Sequence, residues 1–319
     1  MKKVLFIAAF FLAGAASAAW VYEGKWGSRG YGNGQFRRPL NVAVATNNRI
    51  YVADTDNDRV QYFTPTGSFL GEWGSRELPY GLFDSPYDVA AAQNDVVYVA
   101  DTYNHRIQYF DNAGRLLGKW GTEGHSNGQF YYPNSVALAP NGNVYVMDTC
   151  NDRIQYFTKD GSFLGKWGSR GTENGKFKWP NSVAVALNGN VYVADFSNLR
   201  IQYFTSTGVF LGKWGNEGSG NGEFNRPAGV AVAPNGNVFV ADDHNHRIQY
   251  FTAIGSFLGK WGSKGGGNGQ FRGPYGVAVS PTGVRVYVTD EQNCRIQYFK
   301  WVNVAVSPAS LGRVKALFW

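Results

Sequence analysis

Between residues 20 and 301 this sequence lacks the three-and-four spacing of apolar residues that marks an amphipathic helix, so helices are not expected to build its core. Cysteine is nearly absent, with two in 319 residues, Cys150 and Cys294. That excludes a disulfide-stapled scaffold and a cluster of cysteines around zinc. Histidine is scarce as well, with four in all: His105, His125, His244 and His246. Long apolar runs are missing beyond the first eighteen residues, and no later stretch approaches the ~20 residues of a membrane-spanning helix. Neither sign of charge dominates. Thirty basic against 23 acidic residues give +7, a surplus compatible with acidic glycans, anionic surfaces or nucleic acid and equally with ordinary solubility.

What is present begins with a leader. "MKKVLFIAAFFLAGAASA" has two lysines, an apolar run from Val4 to Ala13 and the small residues Ala16-Ser17-Ala18, the pattern of a signal peptide cleaved after Ala18. Residues 1–18 are therefore expected to be removed, and the mature chain to be exported to a periplasmic, cell-surface or extracellular location.

The rest is repetitive. Asp54, Asp101, Asp148, Asp195, Asp242 and Asp290 recur every 47 residues, with 48 in the last interval, and Pro39, Pro86, Pro133, Pro180, Pro227 and Pro274 keep the same register. Each of the six units holds four short β-rich runs separated by turn residues; in the fourth they are "SVAVA", "VYVAD", "RIQYF" and "VFLGKWG", strands a to d. Short a–b and c–d connections suit tight hairpins. A 47-residue meander cannot bury both its faces alone, so the units are expected to stack as an all-β, six-bladed β-propeller of four-stranded antiparallel blades. Alanines 43, 90, 137, 184, 231 and 278 would lie where blades converge, and tryptophans 26, 73, 120, 167, 214 and 261 where they splay.

The sixth unit stops after strand c, at "RIQYFKW", while residues 21–27, "VYEGKWG", read as a strand d without a head. The N-terminal strand is expected to complete the last blade and close the ring, which removes two exposed sheet edges. The propeller then spans 19–301. The remainder, 302–319, places Leu311, Val314, Leu317 and Phe318 near helical spacing and reads as a short amphipathic tail.

The strings "DTYNHRIQYF", "DFSNLRIQYF" and "DDHNHRIQYF", preceded by "P-x-x-V-A-V" and "G-N-V-Y-V-A-D", resemble the NHL repeat over essentially all of residues 20 to 300. The resemblance implies a six-bladed propeller, in agreement with the unit count. It also raises two activities. Amidating lyases of similar fold place several histidines near the axis, but here His105 and His246 share one repeat-equivalent loop position and His125 lies between blades. Only His244 is left for a pocket, short of the three ligands that a zinc centre takes. NHL propellers of tripartite-motif proteins bind RNA on a basic face, but an exported chain gives no reason to expect nucleic acid.

The Asp-x-x-Asn-x-Arg string sits in every b–c loop. A feature repeated in all six blades reads as structural, with Asp54, Asp101, Asp148, Asp195, Asp242 and Asp290 pairing Arg59, Arg106, Arg153, Arg200, Arg247 and Arg295. The b–c and d–a loops share one face and vary between units, so ligands are expected there. The binding candidates on that face are Arg38, Tyr87, Tyr103, Tyr131, Tyr132, Lys178, Trp179, Phe196 and His244. Aromatic platforms with flanking cations hold sugar rings or extended peptides. The Gly-rich "GSRGYGNGQF" and "GSKGGGNGQF" precede no helix and read as blade connectors rather than phosphate loops. Cys150 and Cys294 fall in opposite blades, too far apart to pair. The expected function is recognition of a protein, peptide or glycan, without catalysis, metal or cofactor and with association with an envelope or surface left open. The alternatives are a lyase- or hydrolase-type enzyme at the axial opening, using His244, Asp243 and Glu291, and a structural assembly subunit.

Overall fold

A computed structural model describes residues 17–74 and 83–304. It is a six-bladed propeller in which every blade is a four-stranded antiparallel sheet, with the strands in chain order in blades 1 to 5. Blade 3 shows the plan: strand a is Pro133–Leu138, b is Val144–Asp148, c is Arg153–Phe157 and d is Phe163–Trp167. A single 3-10 turn, Thr149–Asn151, joins b to c.

Burial follows from stacking. Strand b is buried at every position in blades 1 to 5 and at all but Arg285 in blade 6, because it lies between two neighbouring blades. The core is accordingly six clusters, one per blade interface. The cluster between blades 3 and 4, for instance, joins Tyr145, Met147 and Ile154 to Val183, Val191, Val193 and Phe204. Phe36, Phe83, Phe130, Phe177, Phe224 and Phe271 lead from the connectors into these layers and are buried. The strand-d tryptophans are only partly buried apart from Trp73. All but Trp261 pack against the c–d turn of the next blade, and there the turn glycine has no room for a side chain: a Cβ on Gly161, at φ +89°, would sit 2.7 Å from Trp120 Cδ2.

Closure is by the N-terminal strand. Ser17–Trp26 pairs antiparallel with Arg295–Val304 and supplies strand d of the last blade. Both strands run further than the sequence suggested. The pairing reaches Ser17↔Val304, so residues 17 and 18, assigned to the leader, and 302–304, assigned to the tail, belong to this ladder. Residues 1–16 and 305–319, which carry most of the leader and the tail, lie outside the described residues.

One substitution shows how the blades adapt to the closure. The strand-b tyrosines of blades 2, 3 and 4 donate to a carbonyl in the next blade's c–d turn: Tyr98 to Lys159, Tyr145 to Ser206 and Tyr192 to Ala253, at 2.9–3.0 Å. Blade 6 has no c–d turn, because its last two strands come from opposite ends of the chain. A tyrosine in blade 5 would have no such carbonyl. Phe239 stands there instead, covered edge-on by Trp20 at 5.3 Å, and Trp20 in turn stacks on Trp261 at 5.9 Å.

Candidate functional site at the axial mouth

The repeated b–c loop is a structural device. In blade 3, Arg153 Nε donates to Asp148 Oδ2 at 2.7 Å, and its other nitrogens donate to the carbonyls of His125, Ser126 and Gln129 at 2.6–3.0 Å. Asp148 also accepts the Tyr131 amide at 2.7 Å and the Asn151 side chain at 2.9 Å. The same Asp–Arg bond, 2.6–2.7 Å long, recurs in all six blades. Arginine thus ties the b–c loop to the connector before it, and the aspartate satisfies the connector's amide. A member missed in the sequence is the glutamine two residues on: Gln155 bridges the Gln129 carbonyl and Asp148 at 2.7 and 3.1 Å.

The residue ending each 3-10 turn is left-handed, with φ between 50° and 56° in all six blades. Where its side chain can accept, it takes the amide of the residue before the next blade's proline. Asp58 does so for Ser85 and Asp152 for Trp179 at 2.8 Å, while His105 Nδ1 does so for Tyr132 at 3.1 Å and His246 Nδ1 for Gly273 at 3.3 Å. Two of the four histidines are therefore inter-blade acceptors. Burial, with Lys264 nearby, also lowers the His246 pKa and favours the neutral ring.

The expected aromatic side assembles in part. Ring centroids run from Tyr87 to Tyr103 at 6.2 Å, Tyr103 to Tyr132 at 5.1 Å and Tyr132 to Tyr131 at 5.0 Å, with His105 4.6 Å from Tyr132. The Arg38 guanidinium lies 5.6 Å from the centre of the Tyr87 ring. Trp179 is half exposed and Lys178 uses its amide on Asp195, and no ring contact joins Trp179 to this terrace. Phe196 lies under Arg226 at 5.6 Å instead.

Arg38 also reaches blade 6, where its Nε donates to Glu291 Oε1 at 2.9 Å. Asp243, His244 and Arg226 continue the rim, with His244 Nε2 3.2 Å from Arg226 Nη1 and 3.7 Å from Asp243 Oδ2. Burial, reinforced by Glu291, pushes the Asp243 carboxyl up to about 7; burial and Arg226 lower His244. Tyr275 crosses from blade 6 to blade 4, donating to Asn181 Oδ1 at 2.7 Å, and Asn181 donates to the Ala228 carbonyl in the blade between. Below them Asp88 is buried, accepting Ser135 Oγ at 2.6 Å and the amides of Val136 and Val89 at 2.9 and 2.7 Å. Tyr275, Asn181 and Asp88 were missed in the sequence. Their signal is that the two residues after the repeat proline vary around the ring, reading Leu-Asn, Tyr-Asp, Asn-Ser, Asn-Ser, Ala-Gly and Tyr-Gly.

Cys150 and Cys294 are both free. Burial pushes the Cys150 thiol up to about 11, away from nucleophilic reactivity. No group of three His, Cys, Asp or Glu side chains able to hold a metal occurs among the described residues, and none of their helices is long and apolar enough to cross a membrane.

The NHL repeat family matches five segments, residues 36–63, 83–110, 130–157, 177–204 and 224–251, each running from the buried connector phenylalanine to the end of strand c. This is an NHL-repeat protein. Its sixth repeat is one residue longer, between Pro281 and Val286. No curated protein matches the chain significantly. Among solved structures it is similar to a structural genomics protein of unknown function from Bacteroides thetaiotaomicron, at 15% identity and a TM-score of 0.69, covering 90% of this chain and 77% of that one. It is also similar to a streptogramin B lyase, at 12% identity and 0.59 over 90% and 98% of the two chains. A catalytically inactive virginiamycin B lyase from Staphylococcus aureus, with quinupristin, gives 12% and 0.60 over 91% and 89%. At these identities the likeness is one of fold.

Proposed function

We propose that this NHL-repeat protein is an exported binding propeller that recognises a protein, peptide or glycan on the face carrying the b–c and d–a loops, without transforming it. The observation that carries this reading is the connected terrace of Tyr87, Tyr103, Tyr132 and Tyr131 beside Arg38. These residues depart from the repeat, whereas the Asp–Arg devices beneath them do not, and departures from a repeat are where function is added to a scaffold. Rings with a flanking cation offer stacking area that suits sugars and extended peptides. The test is binding of the full chain to glycan and peptide arrays beside a Tyr103→Ala/Tyr132→Ala variant. Selective binding lost in the variant supports the reading; selective binding that survives it moves the site elsewhere.

A second reading has one observation in its favour. Asp243, with its raised pKa next to His244 and Glu291, has the character of a general acid or base, and the fold is shared with lyases of streptogramins. Incubating the chain with a type B streptogramin and following loss of the substrate by liquid chromatography tests it. Turnover abolished by Asp243→Asn would favour the enzyme.

A further inference from the structure

We propose that the axial mouth contains a notch for a primary ammonium group, held between Asp243 and Glu291; the proposal rests on the reading of this face as a recognition surface.

The notch lies where the repeat is broken. The residue after the repeat aspartate is threonine in blades 1 to 3, and its hydroxyl donates to the first carbonyl of the next blade: Thr55 to Pro86, Thr102 to Pro133 and Thr149 to Pro180, at 2.7–2.9 Å. In blades 5 and 6 that position is Asp243 and Glu291. Neither side chain bonds the first carbonyl of the next blade, so the clasp made by Thr55, Thr102 and Thr149 is not reproduced there.

Asp243 is 8% exposed, yet no donor among the described residues lies within hydrogen-bonding distance of its carboxylate. The nearest basic nitrogen, His244 Nε2, is 3.7 Å away. Buried carboxylates elsewhere in the chain collect donors, as Asp88 and Asp148 do. Asp243 makes no such bond within the protein, so water or a ligand must supply the donor that this largely buried carboxylate needs.

Gly273 opens the space. Its counterparts before the repeat prolines are Arg38, Ser85, Tyr132, Trp179 and Arg226, so this is the one blade without a side chain there. A Cβ on Gly273 would lie 3.2 Å from Asp243 Oδ1, 3.2 Å from Glu291 Oε2 and 3.1 Å from the side-chain nitrogen of Gln292, which forms the third wall of the notch. Both oxygens therefore border one small volume. Glu291 spends its other oxygen, Oε1, on Arg38 and leaves Oε2 facing the notch. Three divergent donors on a compact charge match two such oxygens better than a planar guanidinium does, and two carboxylates fall short of a metal's ligand set. The ammonium can come from a lysine side chain or from an amino sugar, with the tyrosine terrace taking the rest of the ligand.

The test compares matched probes on the full chain by calorimetry at pH 7, with EDTA present. One pair is a lysine-containing peptide and the same peptide acetylated on lysine; the other is a glucosamine oligomer and its N-acetylated form. The free amine of at least one pair is expected to bind about tenfold more tightly or better, and the responding pair names the source. In Asp243→Asn/Glu291→Gln, and independently in Gly273→Ala, the ratio should fall to about one while binding of the acetylated form persists. Equal binding of both forms that is lost in Tyr103→Ala/Tyr132→Ala overturns the notch and leaves the recognition face standing. An amine preference that survives both notch variants overturns it too, as does a preference that needs a divalent metal. Binding of none of the four probes also overturns the notch, and the recognition face is then decided by the arrays.

Discussion

Asp88 and Asp148 are both buried aspartates whose carboxyls burial pushes up, and they differ in the partners that oppose that push. Asp148 has Arg153 as a full counter-charge, whereas Asp88 has only neutral donors and burial pushes it up to about 7. The folded chain therefore keeps a proton on Asp88 that the unfolded chain releases near the ordinary value of 3.8. Stability is lost progressively as pH rises through that window, and the loss is complete above it. Asp88→Asn cannot ionise, and blade 1 already uses an asparagine in this place, with Asn41 Oδ1 accepting the Val42 amide at 2.8 Å. Urea unfolding at a series of pH values should show the variant gaining on the wild type between pH 4 and 7 and then running parallel; a constant difference would remove Asp88 from the account. Arg153→Met is the reverse case. It strands the Asp148 carboxylate and three carbonyls, at a cost of roughly 3–5 kcal/mol in urea unfolding at pH 7. The deficit should shrink toward pH 4 as Asp148 takes up a proton in place of the lost cation.

Strands and turns carry the part of the fold that was legible in the sequence, because they repeat. Six spaced aspartates and prolines, alternating strand runs and a headless strand at residues 21–27 were enough to give blade number, strand order and ring closure. The limits of the closing ladder were not legible, since residues 17–20 and 302–304 have no counterpart in the repeat. The face carrying the b–c and d–a loops was legible from hairpin parity, but the proposed notch was not: Gly273 looks like any connector glycine until Asp243 and Glu291 are placed on either side of it. Glycine is likewise ambiguous in the turns, and a pair of substitutions separates its two jobs. Gly142 and Gly161 have nearly the same φ, 86° and 89°, but a Cβ meets nothing within 4 Å at Gly142 and strikes Trp120 at Gly161. Gly142→Ala should cost about 1 kcal/mol, the left-handed backbone alone, and Gly161→Ala about 1–3 kcal/mol more from overpacking. Equal losses in denaturant melts would mean that the tryptophan yields freely. The closing strand makes a larger prediction: a chain beginning at Gly27 exposes the edge of Arg295–Val304, so its melting temperature should drop and light scattering should reveal association. A monomer melting like the full chain would show the ring stable while open.

At the scale of the whole molecule, the ring has six equivalent interfaces and one seam, and the seam is where the two chain ends meet. Its aromatic cover, Trp20 against Trp261, Phe239 and Trp301 at 5.2–5.9 Å, and the ion pair of Glu23 with Arg285 at 2.7 and 2.8 Å replace contacts that a c–d turn makes elsewhere. Every blade interface is otherwise built from the same strand pattern, so the position of the seam is a matter of connectivity and not of packing. Ser17 and Val304 are directly paired across the ladder, which brings the ends within reach of a short Gly-Asn turn. A permuted chain with that turn joining residues 304 and 17, and new ends at the exposed c–d turn of blade 3 between Lys159 and Asp160, keeps all six interfaces and moves only the seam. It should fold as a monomer and melt within a few degrees of the parent, because the new opening again falls between strands c and d of a single blade, held by their ladder from Ile154↔Trp167 to Phe157↔Phe163. An unfolded or strongly destabilised permutant would mean that the seam's own aromatic cover, rather than the closed geometry of the ring, holds the propeller together.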